Sequence, residues 1–409
     1  MADIFHNPFR PGAGHMPPYL AGRDKEKEEF TKHLDQTLIL QNVVISGLRG
    51  VGKTVLLDTL RPEAMSRGWA WVGTDLSEAS SLSEDNLAIR LLTDLSVFTS
   101  TIVLANRGVQ QAGFIGQSTM VKETFSYAVL HHYYQSTPGL VADKLKRVLE
   151  LVWSNVDHSR CKGIVFAYDE AQILSDHRQK DQYPLSVLLD VFQSIQRKGV
   201  PFMLVLTGLP TLFPKLVESR TFAERMFHIL MLDRLEGTAS REAILRPMKV
   251  VNCPVKFNEQ SVEKIVQVTG GYPYFIQFVC REVFDLFIQQ AAAGLELGVP
   301  VAEIVQKLDT DFFAGRWARA TDRQRDLLSV ISAMPNSESA DFEFTGQETS
   351  SQSKQRLAKP FSPSHVNQLL TTLAESGLVY RNRHGKYSFA VPLLGRFVRR
   401  QAGFQEILT

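Results

Sequence analysis

Short apolar runs without helical spacing punctuate the first half of the chain. Val43-Val44-Ile45 (preceded by Leu38-Ile39-Leu40), Trp69 to Leu76, Gly163 to Tyr168, Pro201 to Leu206 and Phe227 to Leu232 each read as a buried strand. Segments with apolar positions three and four apart separate them, as in Val55-Leu56-Leu57-Asp58-Thr59-Leu60, and read as helices. Alternation of this kind predicts an α/β fold with a parallel sheet. About ninety residues separate the second run from Gly163, far more than a right-handed crossover needs. A helical insertion is therefore expected over roughly 80–150, with an irregular glycine-containing piece near Gly108 to Gly116. Leu87 to Ala105 is the most membrane-like stretch, but Arg90 and Asp94 interrupt it, and it reads as a buried helix.

After Leu232 the pattern changes. Thr238 to Ala293 carries only helical spacing, broken by Gly270-Gly271-Tyr272-Pro273, and Gly294 to Pro300 reads as a boundary. Thr321 to Met334 is an amphipathic helix, and Ser362-Pro363-Ser364 caps another that Gly377 stops. Val379 to Phe389 alternates about Gly385, a hairpin with a basic tip. Helix, capped helix and hairpin are the order of a winged helix-turn-helix domain. Asn336 to Gln355, rich in Ser, Glu, Gln and Thr, is expected to be a mobile loop. The expected division is residues 1–234 as an N-terminal segment and α/β domain, 235–300 as a helical lid, and 301–409 as the winged helix.

The chemistry starts at Gly47-Leu48-Arg49-Gly50-Val51-Gly52-Lys53-Thr54, which matches the G-x-x-x-x-G-K-[ST] phosphate loop between a predicted strand and a predicted helix. Gly47, Gly50 and Gly52 let the backbone curl until several N–H groups point at one phosphate chain. The N-terminus of the next helix, through Thr54 and Val55, adds free N–H groups and partial positive charge. Lys53 would neutralise the β- and γ-phosphates, and the Thr54 hydroxyl would ligand Mg²⁺. The strand Gly163 to Tyr168 ends in Asp169-Glu170, where a nucleotide-hydrolysing domain needs its acids. Asp169 would hold Mg²⁺ opposite Thr54, and Glu170 would polarise the attacking water. The next run ends in Thr207, whose hydroxyl would meet that water or the γ-phosphate at the same sheet edge. A strand-ending Thr with no such role fits the pattern equally well.

Composition narrows the setting. A length of 409 residues suggests two or three domains, and 44% hydrophobic with 22% charged residues is ordinary for a soluble globular chain. A net charge of +2 gives no global pull toward nucleic acid or membrane. From Arg316 onward, however, 13 Lys and Arg stand against 8 Asp and Glu, the footprint expected for a phosphate backbone. Arg381, Arg383, His384 and Lys386 in the wing are the nucleic-acid candidates. The 3 cysteines have no metal-ligand spacing, and the N-terminus lacks signal-peptide character, so a cytoplasmic, non-membrane protein is expected.

With these residues together, the chain resembles AAA+-type P-loop ATPases of the ASCE class, in the group of origin-recognition initiators, archaeal-type ATPases and STAND signalling ATPases. The resemblance implies an ATPase using ATP and Mg²⁺, with a parallel sheet, a helical lid and a winged helix. It further implies that Tyr19, Leu20 and Arg23 line the adenine pocket and that Pro273 packs near adenine in the lid turn. Arg225 resembles the arginine finger that reaches a neighbouring subunit's γ-phosphate, which implies a homo- or hetero-oligomer. The arginine usual directly after the lid turn is absent, and Arg281 lies further along its helix. Two functions are expected on this basis. One is an oligomerising switch or motor that couples nucleotide state to double-stranded DNA or a partner protein. The other is a slow STAND-like nucleotide-gated regulator or scaffold.

Overall fold

Every residue of Asn42–Gly47 (β1), Gly163–Tyr168 (β5) and Phe202–Gly208 (β6) is buried, which is how strands read when helices cover both faces of a parallel sheet. The computed structural model describes residues 6–403 apart from 13, 37, 111–117, 251–255, 297, 338, 340, 341 and 384. The chain divides into two compact units. One comprises Asp24–Ser46 and Lys53–Met231, and the other the segment ending at Arg23, the loop Gly47–Gly52 and the chain from Leu232 onward.

The first unit holds the sheet. Trp69–Val72 (β2) and Phe227–Leu232 (β7) complete five strands in the order β2-β5-β6-β1-β7. Pairing is parallel between β2 and β5, β5 and β6, and β6 and β1, with Val165 opposite Met203 and Ile45 opposite Thr207. A buried amide sets the start of β1. Asn42 Oδ1 accepts the Leu204 N–H at 2.7 Å and the Gln196 amide at 2.8 Å, so this polar side chain pins the β1–β6 register. The helices Val141–Ser154 and Pro184–Arg197 bring Leu145, Val148, Leu188 and Phe192 into the core cluster with Phe166 and Phe202.

The insertion differs from its expected form. Glu84–Thr99, Tyr127–Ser136 and Val141–Ser154 are helices, but Val103–Gln110 (β3) and Ser118–Thr124 (β4) pair as antiparallel strands, and 111–117, most of the expected irregular piece, lie outside the described residues. Gly108 and the polar residues of both strands hid the period-two pattern, while Val103, Val109, Thr119 and Val121 supply the β-branched content that strands favour. The apolar stretch expected to be helical to Ala105 turns into strand at Val103.

The second unit is mostly helical. Gly237–Val250, Glu259–Thr269 and Pro273–Ala292 follow the sheet, the last starting with Pro273 at its first turn. Further on come Asp322–Ser332, the short strand Phe344–Thr345 (β8), Gly346–Arg356, Pro363–Glu375, Val379–Arg383 (β9) and Lys386–Phe389 (β10). These strands form a small sheet in the order β8-β10-β9. The loop expected over Asn336 to Gln355 is a correction: Gly346–Arg356 is a helix. Thr345 caps it through the Glu348 N–H at 3.0 Å, and Glu348 answers the Thr345 N–H at 2.8 Å. Its buried face is made of Thr349, Ser350 and Ser353, hydroxyls that bond backbone carbonyls, so no apolar stripe marked it. Arg400 closes the end of the chain by a paired contact with Asp309, at 2.9 and 2.5 Å.

Candidate nucleotide-binding site

In the helical unit, the phosphate loop is held by its carbonyls. Gly50 (φ +80°) and Gly52 (φ +92°) lie in the left-handed region that side chains disfavour. The buried Arg23 donates one guanidinium nitrogen to the Val51 carbonyl at 3.0 Å and to the Asp233 carbonyl at 2.6 Å. The Tyr274 N–H, one residue past Pro273, donates to the Gly50 carbonyl at 3.1 Å. These bonds fix the Gly50 and Val51 carbonyls and with them the course of the backbone through the loop. The Val51 side chain itself is buried at 1% exposure. Tyr19 is already committed: its hydroxyl bonds Glu242 at 3.3 Å and Arg246 lies over its ring at 4.5 Å. Leu20 and Pro273 are half-buried, and Arg281 is exposed on its helix.

In the sheet unit, Lys53 opens the helix Lys53–Ser66 directly after Gly52, with Thr54 and Val55 in its first turn. The Thr54 hydroxyl donates to Asp169 Oδ2 at 2.5 Å, joining the two expected Mg²⁺ ligands across the strand ends. Asp169 is fastened on both sides of its backbone, by its N–H to the Thr74 carbonyl at 3.3 Å and by its carbonyl to the Leu76 N–H at 3.0 Å. Burial pushes its carboxyl above the usual range, while the Thr54 hydroxyl and the Glu170 N–H pull the other way. A buried carboxylate bonded to a hydroxyl that can turn toward a cation is a donor set fitted to a hard divalent ion. Among the described residues there is no cluster of three or more His, Cys, Asp or Glu side chains for a metal.

Glu170 is exposed and adopts φ +53°, ψ +31°. A non-glycine residue there stores about 1–3 kcal/mol of backbone strain, a feature concentrated at functional sites. Gln172 donates its side-chain amide to Glu170 Oε2. Thr207 is fully enclosed, and its hydroxyl has no hydrogen-bond partner among the described residues, as is true of the Ser46 hydroxyl near the end of the adjacent strand. Arg225 sits exposed on the four-residue helix before β7. In the wing, Arg381 is exposed and Lys386 Nζ lies 3.8 Å from Glu348. The Arg383 side chain and His384 lie outside the described residues.

The structure brings together Thr54 and Asp169, both named from the sequence, but sequence reasoning missed Arg23 as a strut for Val51 and the backbone contact from Tyr274. It also missed Gln172, although Asp169-Glu170-Ala171-Gln172 puts an amide two residues past Glu170. The conformation that brings it back is a turn and has no sequence period.

A model for a domain of unknown function, DUF8462, matches residues 310–398. No curated protein matches the sequence. Among solved structures, the Walker-type ATPase of Pyrococcus abyssi superposes with a TM-score of 0.55 at 15% identity, covering 93% of this chain and 96% of that one. The ORC1 protein of Aeropyrum pernix, solved in complex with DNA, gives 0.47 at 14% identity with 94% of each chain covered. The first of these likenesses is one of fold.

Proposed function

On the fold of the AAA+-type P-loop ATPases, we propose that this chain binds ATP with Mg²⁺ and hydrolyses it to ADP and phosphate. The observation that carries the reading is the Thr54–Asp169 contact at 2.5 Å beside a strained, exposed Glu170. The loop N–H groups and Lys53 bind the phosphates, and Thr54 and Asp169 hold the cation. Mg²⁺, when bound, supplies positive charge to the phosphate oxygens. Glu170 orients the attacking water and accepts its proton as the oxygen–phosphorus bond forms. The Thr207 hydroxyl finds its missing partner in that water or the terminal phosphate. Arg225, exposed and at the end of a helix, acts in a neighbouring subunit's site, which makes turnover depend on assembly. The C-terminal helices and β8–β10 act as a winged helix whose attachment to duplex DNA or a partner protein follows nucleotide state, with Arg381, Arg383, His384 and Lys386 toward phosphate.

A second reading has its own support within the helical unit. Arg49 of the loop lies against Gly377, Leu48 lines a cleft with Tyr272 and Tyr380, and Gly50 bonds Tyr274. Loop residues held by C-terminal segments suit a slow nucleotide-gated regulator. Turnover measured with and without duplex DNA, alongside the nucleotide content of the purified protein, separates the two. DNA-stimulated turnover supports the motor, whereas tightly retained ADP with DNA-independent turnover supports the gated regulator.

A further inference from the structure

The Gln172 side chain ties two parts of the sheet edge together. Its Nε2 donates to Glu170 Oε2, and its Oε1 accepts the Leu209 N–H at 3.2 Å, one residue past the end of β6. Its own backbone carbonyl accepts the half-buried Lys215 Nζ at 2.6 Å, so the turn that carries it is anchored as well. Gly208 is shaped around the amide: a Cβ at that position would stand 2.6 Å from Gln172 Oε1. Glu170 itself is exposed on a strained backbone, and among the described residues Gln172 makes the one hydrogen bond to its carboxylate. We propose that Gln172 is a positioning residue that aims the Glu170 carboxylate and links its orientation to the end of β6, the strand that carries Thr207. The inference rests on the ATPase reading, because it assigns Glu170 as the base.

The linkage is directional. An amide can donate to the carboxylate and accept from the backbone at once, and neither a carboxylate nor a methyl group can do both. Displacement at the end of β6 moves the acceptor's anchor and therefore the base. In the reverse sense, a base released from Gln172 keeps its charge but loses its fixed angle to the water. Charged groups near this network are Asp169 beside Glu170, and Asp176 and Glu218 around Lys215.

Three variants test it: Gln172→Ala, Gly208→Ala and Gln172→Glu. The first removes the amide, and the second displaces it while leaving both Glu170 and Gln172 present. Each is expected to lower kcat by about 10- to 100-fold, the cost of misaiming a general base, with the KM for ATP within about twofold of wild type. Gln172→Glu keeps an acceptor for the Leu209 N–H but sets a second carboxylate against Glu170 in place of the amide donor, so it is expected to lower kcat at least as far as Gln172→Ala with KM unchanged. A purely structural glutamine would accept this near-isosteric side chain without loss of kcat. The nitrogen-15 resonance of the Gln172 side-chain amide, compared between wild type and Glu170→Ala, reads the same contact without turnover. If wild type hydrolyses ATP, yet all three variants turn over normally and the Gln172 amide resonance ignores Glu170→Ala, the proposal is overturned. If wild type shows no turnover but the amide resonance shifts in Glu170→Ala, the ATPase reading fails and the Gln172–Glu170 contact stands.

Discussion

Replacing Thr207 with valine separates stability from activity at one atom. The side chains are nearly the same shape, the site is 0% exposed, and the hydroxyl has no hydrogen-bond partner among the described residues. A buried polar group left unsatisfied costs about 1–3 kcal/mol, so Thr207→Val should stabilise the nucleotide-free protein by about 1–2 kcal/mol. For a unit of about two hundred residues, each kcal/mol moves the melting temperature by about 2–4 °C. The expected rise is therefore about 2–8 °C, read by thermal unfolding without nucleotide. If the hydroxyl meets the attacking water or the terminal phosphate, the same variant should lose turnover by at least about tenfold, with ATP affinity nearly unchanged. Thr207→Ser, which keeps the hydroxyl, should retain more activity than valine while losing the packed methyl. A melting temperature that stays level or falls in Thr207→Val would mean the hydroxyl is satisfied in solution. Wild-type turnover in that variant would remove Thr207 from the catalytic reading.

Other perturbations follow the same logic. Asp169 has its carboxyl raised by burial, so the folded state holds that proton more tightly than the unfolded chain does. Its contribution to stability is present at low pH and is lost as pH rises from the unfolded carboxylate range through the raised folded value. Asp169→Asn should flatten this part of the pH–stability profile, stabilise the nucleotide-free protein at neutral pH and abolish the Mg²⁺ dependence of ATP binding. Arg23→Ala removes donors from the Val51 and Asp233 carbonyls, and the expected loss is about 2–3 kcal/mol. Nucleotide affinity, measured by calorimetry, should fall with it, and Arg23→Lys should recover only part because one ammonium does not reproduce the guanidinium fork. Gly50→Ala forces a side chain into φ +80° and to within 3.0 Å of Tyr274 Cβ, so weaker ATP binding is expected from the distorted loop. Arg381→Ala should reduce the salt dependence of duplex DNA binding by about one unit of slope if the wing contacts phosphate.

The sheet was legible because its strands are apolar throughout. Gly163–Tyr168 and Phe202–Gly208 are buried at each position, and a run of that kind needs no partner to be recognised. The Thr54–Asp169 meeting could be expected from sequence because the G-x-x-x-x-G-K-[ST] pattern and an acid after an apolar run each sit at a strand's end. The strand pair Val103–Gln110 with Ser118–Thr124 was not legible, since Gly108 and polar residues interrupt its alternation. Helix Gly346–Arg356 escaped for a related reason: its core face is hydroxyl-lined, and only the Thr345–Glu348 capping pair announced it. Within the site, the contacts missed are those made by backbone atoms or across large separations. Arg23 reaches Val51 and Asp233, and Tyr274 reaches Gly50, through geometry that no local pattern encodes. Among the described residues no helix is long and apolar enough to cross a membrane.

The central claim is hydrolysis of ATP by this chain, and the direct measurement is phosphate release per subunit against protein concentration for wild type, Glu170→Gln and Arg225→Ala. The account predicts wild-type turnover that rises with concentration. Glu170→Gln should bind ATP with near-normal affinity and release no phosphate, and Arg225→Ala should lose the dependence on concentration along with most turnover. Absence of phosphate release from wild type, or unchanged release from Glu170→Gln, would contradict it.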